Sequence, residues 1–139
     1  METGIYIELS ENDPREKNRS WGYVLEAPGG WTKHETGECI GTMHGVTLQI
    51  LIKALSRYHK PSQITIHAAD EWILNMLQNQ LPAWEQNGFR NAHGEAIKYQ
   101  QEWEELAEKV KNHKITIEPG RHGYSVWLQD EMKRGRRDV

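Results

Sequence analysis

The segment WEQNGFRNAHGEAIKYQQEWEEL, residues 84–106, changes character halfway along. Its first half, rich in Asn and Gly, predicts a loop with a helical fragment over 82–94. In its second half Tyr99, Trp103 and Leu106, continued by Val110, recur at helical spacing and predict an amphipathic helix. Downstream, Lys114 to Glu118 reads as a last strand, Pro119-Gly120 as a turn, and Ser125 as the cap of a final helix reaching about Arg134. Upstream, Gln63 to Ala68 puts Ile64, Ile66 and Ala68 on one face of a strand. Asp70 then caps a helix whose apolar face is Ile73, Met76 and Leu77. Before these, Leu48, Leu51, Ile52, Leu55 and Tyr58 form a helical stripe that ends ahead of Pro61.

The amino-terminal third alternates instead. Ile5 to Leu9, Trp21 to Leu25 and Trp31 to Ile40 predict three strands, separated by a polar turn over 11–19 and by Pro28-Gly29-Gly30. Connections this short make the three strands antiparallel neighbours. The order of three strands, helix, strand, two helical segments, strand and helix predicts an α/β fold. Its mixed sheet has three antiparallel strands followed by two parallel crossover strands, and helices cover it.

Composition narrows the function classes. The chain has 139 residues, enough for a single domain spanning 1–139 with a basic tail from about 133. The formal net charge of −3 lacks the cationic excess of a sequence-independent nucleic-acid binder. The single cysteine, Cys39, excludes a disulfide framework and a multi-thiolate zinc site. No stretch approaches a membrane span and no signal peptide opens the chain, so a cytoplasmic location is expected. The seven histidines are scattered, and no pair has the i, i+4 spacing of a helical metal site.

Within 84–106, Trp84, the triplet Gly88-Phe89-Arg90, Ala92, the pair Ile97-Lys98, and Trp103 with Leu106 fall together in one register. They resemble the protruding handle and following helix of the ribonuclease H family. Ile7-Glu8-Leu9-Ser10 is similar to that family's first-strand Asp-Gly-Ser. The Thr42-to-Leu48 segment resembles the start of its first helix, Ile66 to Trp72 its strand-end acid, and Gly120-Arg121-His122-Gly123 its loop before the last helix. The resemblance runs from about residue 4 to residue 135, and it implies a ribonuclease H-like fold.

The resemblance also implies a chemistry. Ribonuclease H cuts the RNA of an RNA/DNA hybrid by two-metal hydrolysis, in which clustered carboxylates hold Mg²⁺ or Mn²⁺. In this sequence the first-strand acid becomes Glu8 and the helix Glu falls on Thr47. The strand-end Asp falls on Ala69 with Asp70 one place later, and the last-helix Asp falls on Gln129 with Asp130 one place later. One step flips a strand residue to the other face and turns a helix residue by about 100°. Glu8 is therefore the in-register catalytic candidate, and Asp70 and Asp130 join it as catalytic candidates where the local register slips, with Glu8 and Asp70 as metal ligands and His122 as the loop histidine that assists proton transfer or product release. Equally, Asp70 serves as a helix cap, Asp130 as part of a solvated face and Glu8 as an acid at a strand end.

For nucleic-acid binding the candidates are Thr42 and His44 at the helix start, Trp84, Phe89, Arg90 and Lys98 in the handle, and Arg134, Arg136 and Arg137 in the tail. Trp84 and Phe89 also read as core residues. Three functions stay open. The first is a domain that binds RNA/DNA hybrid or duplex RNA with weak or lost nuclease activity. The others are an active metal-dependent ribonuclease H and a protein-interaction module on the same scaffold. The oligomeric state is not legible.

Overall fold

The computed structural model describes residues 2–137, with side chains as far as 135. Its elements are β1 (Glu2–Leu9), β2 (Lys17–Glu26), β3 (Thr32–Gly41), α1 (Met43–Leu55), β4 (Gln63–Ala68), α2 (Glu71–Asn79), α3 (Leu81–Gln86), α4 (Gln100–Val110), β5 (Lys114–Pro119) and α5 (Ser125–Arg137). One five-stranded sheet has the order β3-β2-β1-β4-β5. β1, β2 and β3 are antiparallel neighbours, whereas β4 runs parallel to β1 and β5 parallel to β4. This is the mixed sheet that the sequence predicts.

Alternation along β1 fixes what each face does. Ile5, Ile7 and Leu9 are buried in the main core with Val46, Leu48 and Leu51 of α1 and with Trp103 and Leu106 of α4. Burying each such aliphatic side chain contributes about 1.5–3 kcal/mol. Tyr6 and Glu8 point to the opposite face, where α5 lies across β1, β2 and β3. There Leu128 is fully buried, and a Cβ on Gly22 would approach it to 3.0 Å, so β2 keeps a glycine beneath the helix. Among the described residues no helix is long and apolar enough to cross a membrane.

α1 begins at Met43, where the resemblance puts the helix start, and Thr42 caps it by accepting from the Gly45 amide at 3.0 Å. Two local features differ from the sequence reading. β2 begins at Lys17, inside the stretch read as a polar turn, because Lys17, Asn18 and Arg19 pair with Gly41, Ile40 and Cys39 of β3. Ser125 lies inside α5 rather than capping it, and its hydroxyl is directed at β1 instead.

The polar β1–β2 connection is organised by a buried arginine. The Arg19 guanidinium donates to the carbonyls of Glu11 (2.6 Å) and Asp13 (2.7 Å), and also to that of Arg15, while its Nε donates to the Gly41 carbonyl at 2.9 Å. Each such bond satisfies a carbonyl that would otherwise compete for water, and bonds from a charged donor contribute about 1.5–3 kcal/mol. Arg19 thereby ties the β1–β2 turn to the end of β3, immediately before α1 begins.

Candidate active site and nucleic-acid interface

Glu8 is the penultimate residue of the central strand, and its side chain is 12% exposed. Its carboxylate is held by donors from the segment that leads into and forms α5. Ser125 Oγ donates to Oε2 at 2.8 Å, and Gln129 Nε2 donates to Oε1 at 2.9 Å and to the Leu9 carbonyl at 2.9 Å. His122 Nε2 lies 3.0 Å from the Ile7 carbonyl and 3.1 Å from Glu8 Oε2. The other ring nitrogen, Nδ1, accepts from the Tyr124 amide at 3.1 Å, so in the neutral ring Nε2 carries the proton and donates to both oxygens. Burial alone pushes the Glu8 carboxyl upward, but the hydrogen bonds from His122, Gln129 and Ser125 outweigh it and hold the group below its ordinary value.

Behind His122, Tyr6 stacks on His67 with ring centroids 4.2 Å apart and meets Tyr124 at 4.8 Å. The Tyr124 hydroxyl donates to Glu26, and that bond with burial pushes its pKa up to about 12. Burial, reinforced by the neighbouring His122, pushes His67 down.

The other two candidate acids lie elsewhere. Asp70 is 2% exposed, and one of its oxygens accepts from the Ile73 amide at 3.1 Å, capping α2. The other lies 2.7 Å from His44 Nδ1. With Ile7, Leu9 and the buried Thr47, Asp70 lines a narrow crevice on the α1 face, opposite to the face that Glu8 takes. Asp130 is exposed on α5. The structure thus brings Glu8 to His122 and Gln129, and Asp70 to His44, but it does not bring Glu8, Asp70 and Asp130 together.

A divalent ion does not fit this donor set. Mg²⁺ and Mn²⁺ demand several oxygen ligands, and a pair of ions needs carboxylates to offset their repulsion. Around Glu8 the neighbouring groups are N–H and O–H donors aimed at its oxygens, which supply the positive end that an ion would otherwise provide. Among the described residues no group of three His, Cys, Asp or Glu side chains could hold a metal.

The amino-terminal end of α1 is arranged differently. Thr42 Oγ1 is also 2.6 Å from the Tyr99 hydroxyl, which joins the starts of α1 and α4. Tyr99 has a left-handed backbone, φ 62°, an unfavourable conformation for a non-glycine residue. Gly45 leaves room for that ring, since a Cβ there would meet Tyr99 Cε1 at 3.3 Å. The first turn of α1 contains no acidic residue. His44 is aimed by buried Asp70 and lies against Trp72, ring centroids 4.8 Å apart, with Trp72 47% exposed. Helix start, imidazole and exposed indole therefore share one rim.

In the handle, Trp84 and Phe89 are half-buried and pack against the core, Trp84 meeting Trp103 at 5.0 Å between centroids. Arg90 donates to the Gly94 carbonyl at 2.9 Å, and Lys98 Nζ sits 5.3 Å over the Tyr99 ring. Arg134 is exposed, 3.3 Å from Glu131. The side chains of Arg136 and Arg137 lie outside the described residues. Sequence reasoning passed over the roles of Tyr99 and Ser125. The pairing of a helix-start Thr with a distant Tyr, or of a strand acid with a late Ser, carries no periodic signal.

No protein-family profile matches the chain. Two relatives in sequence are the ribonuclease H of Thiobacillus denitrificans, 27% identical over 95 residues, and that of Hyphomonas neptunium, 27% identical over 100 residues. The matched region covers 68% and 69% of this chain, and 64% of each relative, a little under two thirds of their length. Among solved structures, a foamy viral protease-reverse transcriptase in complex with dsDNA superposes with a TM-score of 0.71 at 15% identity, over 99% of this chain and 94% of that one. A type 1 ribonuclease H with the type 2 active-site motif gives 0.69 at 17% identity, over 96% of this chain and 69% of that one. At these identities the structural likeness establishes the fold.

Proposed function

We propose that this chain, which resembles ribonuclease H in sequence and has a ribonuclease H-like fold, is a nucleic-acid-binding domain for RNA/DNA hybrid or duplex RNA with weak or lost nuclease activity. The observation that carries this reading is the state of Glu8. Its carboxylate is taken up by Ser125, Gln129 and His122, and neither Asp70 nor Asp130 converges on it. Two-metal hydrolysis needs carboxylates from several elements at one point. Here the position on α5 facing Glu8 presents an amide nitrogen.

Several groups support the binding half of this reading. The α1 start offers backbone amides and a favourable dipole to a phosphate. His44, held at Nδ1 by Asp70, keeps about a third of its side chain exposed (36%) next to Trp72. A-form duplexes are recognised through shape, 2′-hydroxyls and phosphates across a shallow minor groove. A polar helix start beside an exposed aromatic ring suits that task. The handle residues Arg90 and Lys98 and the tail residues Arg134, Arg136 and Arg137 add phosphate contacts. Trp84 and Phe89 serve by shaping the handle. One solved relative in fold is a foamy viral protease-reverse transcriptase in complex with RNA/DNA hybrid, which supports this choice of ligand class.

The test is binding of a short RNA/DNA hybrid by fluorescence anisotropy at two salt concentrations, with a parallel cleavage assay in Mg²⁺ and in Mn²⁺. The expected result is salt-dependent binding without metal-dependent cleavage. Efficient cleavage abolished by Glu8→Gln would establish the active enzyme instead. No binding at low salt by the folded protein would leave the protein-interaction module.

A further inference from the structure

We infer that a second nucleic-acid site, specific for single strands, lies at the other end of α1, in a groove between the β2–β3 turn and the segment after α1. α1 spans Met43–Leu55, so this groove is about 20 Å along the helix from the His44 rim at 1.5 Å rise per residue. It therefore stands independently of the proposed hybrid-binding surface.

The groove has a volume of about 390 Å³, and its apolar surface comes from Leu25, Trp31 and Tyr58. Trp31 is 80% exposed. The turn that presents it is built: Gly29 and Gly30 have φ of 90° and 89°, values that side chains disfavour, and the Ala27 amide donates to the Trp31 carbonyl at 2.7 Å. The exposed indole is thus carried on a defined turn.

Cations outnumber acids at the groove. Lys33, Arg57 and Lys60 line it against the single acid Glu26, in a chain whose formal net charge is −3. Among the described residues neither Lys33 nor Lys60 has a carboxylate partner within ion-pair distance. Glu26, the acid among the lining residues, accepts from the Tyr124 hydroxyl on the α5 side of the sheet. Arg57 donates to the Tyr23 hydroxyl at 3.1 Å, which fixes the guanidinium at the groove.

An exposed aromatic platform ringed by cations is complementary to a base with phosphates on either side. That is how single strands are bound without sequence preference: bases stack on aromatic rings while Lys and Arg follow the backbone. A duplex keeps its bases stacked on one another and has none to offer Trp31, so the groove selects a single-stranded end or overhang.

The probe is a ten-residue oligothymidylate, followed by anisotropy and by the indole N–H resonances of the ¹⁵N-labelled full chain. Trp31→Phe assigns the Trp31 signal, and an otherwise unchanged spectrum verifies folding. The expected result is that the Trp31 indole resonance shifts on titration. Trp31→Ala should weaken binding by about 5- to 150-fold, the usual stacking contribution of one base. Lys33→Ala with Lys60→Ala should reduce the salt slope by about 1.4, at about 0.7 per phosphate on a single strand. Shifts at Trp72 with none at Trp31 would overturn the proposal by placing the strand at the α1 start. Affinity unchanged in all of these variants would overturn it as well. Trp31-dependent binding to phosphatidylserine vesicles without binding to the oligonucleotide would replace it with an anionic lipid surface.

Discussion

Replacing Gln129 by Asp removes the amide that donates to Glu8 Oε1 at 2.9 Å and leaves a carboxylate, one methylene shorter, facing it. Two costs follow. The lost hydrogen bond to a charged group is worth about 1.5–3 kcal/mol. Two carboxylates about 4 Å apart repel by about 4 kcal/mol at an effective dielectric near 20. The pair relieves most of that repulsion by taking up one proton, and partial solvent access at Glu8, whose side chain is 12% exposed, screens more of it. We expect Gln129→Asp to lower stability at pH 7 by about 3–4 kcal/mol, which for a chain of this size is roughly 10–15 °C in Tm.

The sign with pH is the sharper test. In the parent, Glu8 is held below its ordinary value of 4.5, so its stabilisation is complete above pH 4.5 and is lost only as pH falls through its lower folded value. In Gln129→Asp one carboxyl is raised in the folded state, the native protein binds the extra proton, and stability must rise as pH is lowered from 7 towards 5. Urea unfolding of both proteins at pH 7 and pH 5 measures this difference. Addition of 10 mM Mg²⁺ should recover about 1.4 kcal/mol in the variant if the ion binds there with a Kd near 1 mM. A variant as stable as the parent at pH 7, with the same pH slope, would refute the role assigned to Gln129.

Calorimetric titration of the unmodified protein with Mg²⁺ or Mn²⁺ should give millimolar affinity or none, and a two-site micromolar isotherm abolished by Glu8→Gln would contradict the present donor set. His44→Ala should weaken hybrid binding several-fold and also lower Tm, because it takes a hydrogen bond from the buried Asp70 carboxylate; Asp70→Ala should lower Tm through loss of the α2 cap, at about 1–2 kcal/mol, and hybrid binding unchanged in His44→Ala would contradict the role assigned to the imidazole. Arg136→Ala combined with Arg137→Ala should flatten the salt dependence of hybrid binding by up to about two units without altering sequence preference, and an unchanged slope would remove the tail from the interface. Asp13 is depressed to about 2 by Lys17 foremost, so its contribution should persist at pH 4 and vanish as pH falls through about 2; carboxyl NMR titration would show this directly, and a midpoint near 4 would contradict it.

What the sequence disclosed and what it withheld follow from the range of each interaction. β4 occupies the predicted residues, and α2 starts after the predicted cap Asp70, because alternation and capping act within a few positions. Trp103, Leu106 and Val110 of α4 are buried or packed against the core, as helical spacing demands, whereas Tyr99, read into the same stripe, precedes the helix with a left-handed backbone. The resemblance around the handle reached the fold because it combined many weak positions in one register. The sites are made of partners far apart in sequence: Asp70 with His44, Glu8 with Ser125 and Gln129, Thr42 with Tyr99. Nothing local distinguishes the Ser125 that donates to Glu8 from one that would cap a helix. The resemblance implies an Asp where the sequence has Gln129, and only the geometry reveals the hydrogen bonds that the amide makes to Glu8 and Leu9.

The central position of β1 also bears on how the chain reaches its native state. Its antiparallel partner β2 follows after a short turn, but Ile5 meets its parallel partner Ile66 only after β3 and α1 have been traversed. Closing a loop of about 60 residues costs roughly 3.6 kcal/mol of chain entropy before any contact rewards it. The meander β1–β2–β3 is therefore the more local unit and the pairing of β4 with β1 the non-local one, and a mixed sheet like this is expected to fold at a rate between those of helical bundles and all-β domains. A chain truncated before Gln63 would leave β1 as an open edge, its backbone donors and acceptors exposed beside Ile5 and Ile7, a template for pairing with other chains.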